Sequence, residues 1–141
     1  MKVKRVLQQE LMCEVTVIDE IKNFDIITEK MDDDFYTFPL GTNMMMWLNQ
    51  DGLLGELECI FPEQIDEEIV LNNQNAVVKV GFPLVEIEEA VTVSKAKVFR
   101  SEAYFTLYFS EIKTYDKCII SKNLSFYVNN DELIAIKAVI S

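Results

Sequence analysis

Asn49-Gln50-Asp51-Gly52 stands between two apolar runs, Met44–Leu48 and 53–60. The pattern returns about eighty residues later, as Asn129-Asn130-Asp131-Glu132 between 124–128 and 133–140. A short Asn/Asp/Gly turn between apolar runs of this length is a strong local signal for a β-hairpin. Given twice, it commits much of the chain to antiparallel pairing. Further runs rich in β-branched and aromatic residues lie at 13–18, 76–80, 91–99, 103–109 and 117–121. Breakers separate them: Asp32-Asp33-Asp34, Pro39 and Gly41, Pro62, 72–75, Gly81 and Pro83, and 100–102. Short strands at this spacing predict a mainly β fold, all-β or α+β, in one antiparallel-sheet-rich domain over 1–141 with at most one or two short helices. Two stretches compete for helix. Val3, Leu7 and Leu11 recur every four residues within 3–12, although alternation through Cys13, Val15 and Val17 fits a strand equally well. Pro62-Glu63 followed by Ile65 and Ile69 resembles a helix start over 63–71.

The first turn reads as type I followed by a left-handed glycine, which sets a register. Asn49 then pairs with Leu53, Leu48 with Leu54, Trp47 with Gly55 and Met46 with Glu56. The indole is expected to lie over the bare glycine, with the hairpin at the centre of a sheet. In the second hairpin the same register pairs Val128 with Ile134, Tyr127 with Ala135 and Phe126 with Ile136. Glu132 fits the glycine position poorly, because left-handed backbone costs a non-glycine residue about 1 kcal/mol or more. A two-residue Asn129-Asn130 turn is the alternative. Over 43–60 and 123–140, five of eighteen aligned positions are identical. Duplication leaves such a trace, but so does shared binary patterning, and both origins stay open.

The chain has 13 basic and 24 acidic residues, a formal charge of −11. That field repels phosphates and anionic membranes and attracts basic proteins, so neither nucleic acid nor membrane is the expected partner. Cys13, Cys59 and Cys118 sit apart in apolar runs, which reads as free thiols in a reducing cytoplasm. The basic start Met1-Lys2-Val3-Lys4-Arg5 runs into Gln8, Gln9 and Glu10, so no signal peptide is expected. Met44-Met45-Met46 reads as core more readily than as an adaptable binding surface. Tyr104 and Tyr108 alternate with core residues and mark one sheet face as tyrosine-bearing.

Histidine is absent and glycine occurs at only four positions, none of them in a phosphate-loop spacing. The commonest general base, the commonest metal ligand and the Ser-His and Cys-His pairs are therefore missing, and an enzyme is not expected. The paired carboxylates Glu56/Glu58 and Glu86/Glu88 each fall on one strand face. They fit a solvated or edge-protecting face better than a Mg²⁺ or Ca²⁺ site or a hydrolytic acid–base pair. No cofactor or metal ligand set is expected. The reading is a small acidic binding protein, an intracellular inhibitor or immunity protein for a basic, nuclease-type toxin. Its candidate contacts are Asp66, Glu67 and Glu68, ranked first as an extension of Glu56/Glu58, then Asp32, Asp33 and Asp34, and Glu86, Glu88 and Glu89. A homodimer is a further expectation. The alternative is a carboxylate-based divalent-metal-binding module or metal-assisted hydrolase.

Overall fold

The computed structural model describes residues 1–66, 71–87 and 97–140. Strands account for 65% of the fold, which decides between the two predicted classes: it is all-β. The helical exception among the described residues is one 3-10 turn at Asp19–Ile21. The strands in chain order are β1 Lys2–Leu7, β2 Cys13–Ile18, β3 Asn23–Thr28, β4 Tyr36–Pro39, β5 Met44–Leu48, β6 Leu54–Ile60 and β7 Gln64–Asp66. They continue as β8 Asn72–Val80, β9 Phe82–Glu86, β10 Lys97–Arg100, β11 Tyr104–Tyr108, β12 Thr114–Ser121, β13 Leu124–Asn129 and β14 Glu132–Val139. Among the described residues, no helix is long and apolar enough to cross a membrane.

The strands form two sheets. One has the order β2-β3-β6-β5-β4; the other contains β10-β11-β14-β13-β12, extended by β7 and β8 at its two ends and by β1 and β9 off β14. All neighbours within each set of five are antiparallel. The second set therefore repeats the strand order of the first, and the two sequence hairpins, β5–β6 and β13–β14, hold the same place in each. Finer features repeat too. Each hairpin carries one register shift, between Trp47 and Leu48 in the first and between Tyr127 and Val128 in the second. Asn43 and Asn123 close the open ends alike: the Ile60 and Val139 N–H groups donate to their carbonyls at 2.8 and 2.9 Å. Their Nδ2 groups donate back to the carbonyls of the same two residues.

The inner faces of the two sheets share one apolar core, in which Phe24, Ile26 and Leu57 meet Phe105, Phe126 and Ile136. Phe24 and Phe105 occupy equivalent positions, opposite Cys59 and Ala138, and their rings meet edge-to-face at 5.2 Å. The small partner beside each ring leaves room for it to reach the opposite sheet. Met44 and Met46 are buried here, as core packing requires, while Met45 lies on the other face, half buried.

The first turn forms as read. The Asn49 N–H donates to Leu53 O and the Gly52 N–H to Asn49 O, both at 3.0 Å, with Gly52 at φ 88°. Asn49 Oδ1 also accepts the N–H groups of Asp51 and Leu53. Past Leu48–Leu54 the expected register fails. Gly55 is the extra residue of a bulge, so Trp47 pairs with Glu56, Met46 with Leu57 and Met44 with Cys59. The indole therefore does not cover Gly55. A side chain there would run into Met31 and the Phe35 ring, which fill that space. The slip moves Leu57 and Cys59 onto the inner face with Met44 and Met46, so one face of the hairpin is core and the other is not. In the second hairpin Tyr127–Ala135 and Phe126–Ile136 pair as expected, but Val128 pairs with Leu133 because Ile134 is the bulged residue. The turn has two central residues, one position later than read: Asn130 and Asp131, at φ 49° and 65°, which avoids left-handed backbone at Glu132.

Neither helix expectation holds where the structure describes it. β1 pairs with β9 as an extended strand, with a register shift between Val3 and Arg5, and that cross-strand pairing overrides the four-residue spacing of Val3, Leu7 and Leu11. Within 63–71, β7 pairs in parallel with β10, Ile65 facing Val98, and cross-strand pairing overrides the Pro-Glu start signal. Residues 67–70 lie outside the described residues, as do 91–96 of the run read at 91–99. The strands missed from sequence are β3, β4 and β9. Asp25 interrupts the first, and Pro39 and Pro83 sit inside the other two.

Candidate partner-binding face

The outer face of the five-stranded sheet concentrates the chain's unusual electrostatics. Register builds it in two rows that cross the strands. One runs Glu14–Ile27–Glu56–Trp47–Thr37 and the other Thr16–Asp25–Glu58–Met45–Pro39. Asp25 thus lies directly opposite Glu58, on the strand between Glu14 and Glu56. Like charges across a strand pair destabilise a sheet, so this packing opposes stability. Burial first, then Glu56, Glu58 and Glu14, push the Asp25 carboxyl up to about 7, against a lowering hydrogen bond from the Ile26 backbone. Its Oδ1 is buried without a hydrogen-bond partner. Burial, followed by Glu58, also raises Glu56. Perturbed carboxylates gathered in this way are a marker of functional surface.

A raised carboxyl pKa means that the folded state holds the Asp25 proton after the unfolded chain has released it. Stability is lost as pH climbs from about 4 to about 7, and the loss persists above that window. Asp25→Asn removes the charge with little change of shape. We expect it to raise stability near pH 8 by about 1–2 kcal/mol, a figure discounted for solvent reaching the face, with a smaller gain near pH 5. Urea midpoints at the two pH values check this, and an equal gain at both would show that Asp25 is not the titrating group.

The Asp32-Asp33-Asp34 loop adjoins this face at its turn end. Met31 and Phe35, on either side of the aspartates, fold over Gly55, next to Glu56. Asp32 Oδ1 accepts the Asp34 N–H at 2.8 Å, which holds the loop in a tight turn. Between this loop and the first hairpin turn lies a groove of about 890 Å³, lined by Asp32, Asp33, Asp34 and Asp51 together with Lys30 and Tyr36.

The other candidate contacts are placed elsewhere. Asp66 ends β7 in the nine-stranded sheet, so it does not share a sheet with Glu56 and Glu58. Exposed Glu86 lies on β9 opposite Lys2. Glu67, Glu68, Glu88 and Glu89 lie outside the described residues. Glu56 and Glu58 stand on an interior strand, so edge protection is not their role. Sequence reasoning missed Glu14 and Asp25, because each is a single carboxylate in an apolar strand and only pairing brings them beside Glu56 and Glu58.

The repeated strand order makes the asymmetry plain. The span 13–60 carries eleven acidic and two basic residues, a formal −9, while 97–139 carries five acidic and six basic, a formal +1. Register-equivalent positions on the second sheet replace Glu14 by Lys97, Asp25 by Thr106, Glu56 by Ala135, Glu58 by Lys137 and Trp47 by Tyr127. That face is aromatic and basic in place of acidic: Lys137 Nζ sits 4.1 Å from the Tyr104 ring centroid, and Tyr115 and Tyr127 stack edge-to-face. Tyr108 there is buried against Ile134 and Ala135, so the tyrosine face is in part a second small core.

Among the described residues no group of three Cys, Asp or Glu side chains is arranged to hold a metal ion. Cys59 and Cys118 are buried and Cys13 half buried, and burial pushes the Cys13 and Cys59 thiols up to about 12. The chain matches no family model and no curated protein in sequence.

Proposed function

We propose that this chain is a non-catalytic binding protein that docks a basic protein on the acidic face of its five-stranded sheet. In this reading it acts in the cytoplasm as an inhibitor of a nuclease-type toxin. The observation that carries the reading is the segregation of charge onto one of two sheets that otherwise repeat the same strand order. Solubility alone has no need of it, because acidic residues spread over both sheets would serve equally well. Glu14, Glu56 and Glu58 would stand in for the phosphates that such a partner binds, and Trp47 among them offers the aromatic anchor that interface centres favour. We also read the repeated topology as descent from one five-strand unit by duplication, after which one copy gained the acidic face.

The test is association kinetics with a panel of basic nuclease domains, using an acidic protein of similar size as control. The on-rate should fall steeply as salt shortens the screening length from about 30 Å at 0.01 M to about 8 Å at 0.15 M, while the off-rate changes less. Glu56→Gln/Glu58→Gln and an Asp-to-Asn change at 32–34 should each slow association by about 3–10-fold at low salt. The same neutralisation at 66–68 or at 86, 88 and 89 measures how far the docking face extends. Binding to no panel member at low salt, or on-rates indifferent to salt and to all four changes, would remove the charge-driven reading.

The alternative, a divalent-cation module or metal-assisted hydrolase, draws on the same carboxylates and on an Asp25 pKa suited to acid–base work near neutrality. Stoichiometric Mg²⁺ or Ca²⁺ uptake in calorimetry, lost in Asp25→Asn, would favour it.

A further inference from the structure

Among the described residues β8 is the longest strand, and it is paired there on one side only. It joins β12 in parallel, Val77 with Lys117 through Val80 with Ile120, and among the described residues no strand pairs with its other edge. Its valines are unusually bare: Val77, Val78 and Val80 are 54%, 62% and 61% exposed. Free edges are normally blunted by charge, proline or a bulge. Here the blunting is confined to the first half, where Asn75 takes φ 51° and the Ala76 N–H turns back to Asn73 Oδ1 at 2.7 Å. Beyond Ala76 the pairing with β12 is regular, and one charged residue, Lys79, remains. The strand also lies within 69–85, seventeen residues without Asp or Glu and the longest such run in the chain.

These observations select an occupant. A basic protein gains no electrostatic attraction along an acid-free strand, whereas a second copy of this chain, at −11, is repelled by most of the remaining surface. The geometry points to β8 as the dimer interface of this protein, two copies pairing antiparallel edge to edge about a two-fold axis through Val78. Antiparallel partners must point their side chains to the same face, so a two-fold normal to the sheet can centre only on a residue opposite itself. Centring on Lys79 opposes two ammonium groups. Centring on Val77 sets the left-handed Asn75 opposite Lys79 of the second copy. Centring on Val78 sets Val78 on itself and Val80 on Ala76 of the second copy, with Lys79 facing only Val77. The apolar seam then continues through Cys118 and Ile120, the β12 partners of Val78 and Val80. This interface is independent of the acidic face and has the opposite salt dependence, because screening relieves repulsion between the copies.

Sedimentation velocity on the full chain, from micromolar to sub-millimolar, should show a reversible dimer whose association strengthens as salt rises. Val78→Glu should weaken it at least tenfold and leave the circular dichroism spectrum unchanged. If that variant fails to fold, Val78→Cys serves in its place. Under mild oxidation it should give a covalent dimer several-fold faster than Val77→Cys, Lys79→Cys or the parent chain, since only residue 78 meets its own copy. A monomer at the highest concentration in high salt would overturn the proposal. So would a dimer that survives Val78→Glu, or cross-linking that is faster from position 77 or 79.

Discussion

Phe105→Ala lowers the stability of this protein by about 3–5 kcal/mol, the range for removing a fully enclosed aromatic ring from a core. The residue is completely buried, and its ring abuts Phe24 at 5.2 Å with the planes 62° apart. Within its own sheet it stands opposite Ala138, too small to collapse into the space left behind. The cavity would open between the two sheets, where backbone pairing on both sides resists closure. Phe24→Ala, opposite Cys59, should cost a similar amount. The double variant should lose less than the sum of the two, because each single change already removes the ring–ring contact, worth about 0.5–1.5 kcal/mol. Urea unfolding of the three variants measures this. Single losses under about 1.5 kcal/mol would mean that the sheets repack around the gap and that the paired rings are not the centre of the core.

Gly52→Ala should cost about as much, roughly 3–5 kcal/mol, for a different reason. At φ 88° the backbone is strained for any L side chain, a cost of about 1–2 kcal/mol. The added methyl would also overlap the Val85 carbonyl, which is backbone and cannot rotate aside. The Val85 N–H donates to Gly52 O at 2.9 Å, and Leu53 bridges to Leu84 alongside. Relief would require β9 to withdraw from the turn, opening that hydrogen bond and baring Leu53 and Leu84, both buried. Thermal unfolding and amide exchange at Val85 check the result. A loss near 1 kcal/mol with Val85 still protected would show that the turn adapts and that only the backbone strain was real.

The legible parts of this fold are those decided within a few residues. The first turn forms the hydrogen bonds that Asn49 and Gly52 dictate, because turn geometry depends on four consecutive dihedral pairs. β2 and β5 carry the predicted bounds, and the first hairpin has the expected place inside its sheet, although the bulge leaves only one of its faces as core. Legibility ends where one extra residue changes a face. The bulges at Gly55 and Ile134 leave no mark in the hydrophobic pattern, yet the first reassigned Leu57 and Cys59 to the core and paired Trp47 with Glu56. A register shift of the same kind inside β1 was equally invisible in the four-residue spacing of Val3, Leu7 and Leu11.

The candidate face was the least legible part. Glu56 and Glu58 were visible as a pair, but Glu14 and Asp25 lie up to forty-four residues away in the chain and join them only through the β2–β3 and β3–β6 registers. The raised pKa of Asp25 exists only there, since it needs burial and neighbours that no local segment supplies. By itself the sequence determined what local backbone chemistry and composition can determine: strands, turns, an acidic net charge and the lack of imidazole. The tertiary structure alone decided which carboxylates share a face, that two sheets repeat one strand order, and that the charge resides on one of them. Those are properties of long-range pairing, and a one-residue change of register is enough to alter them.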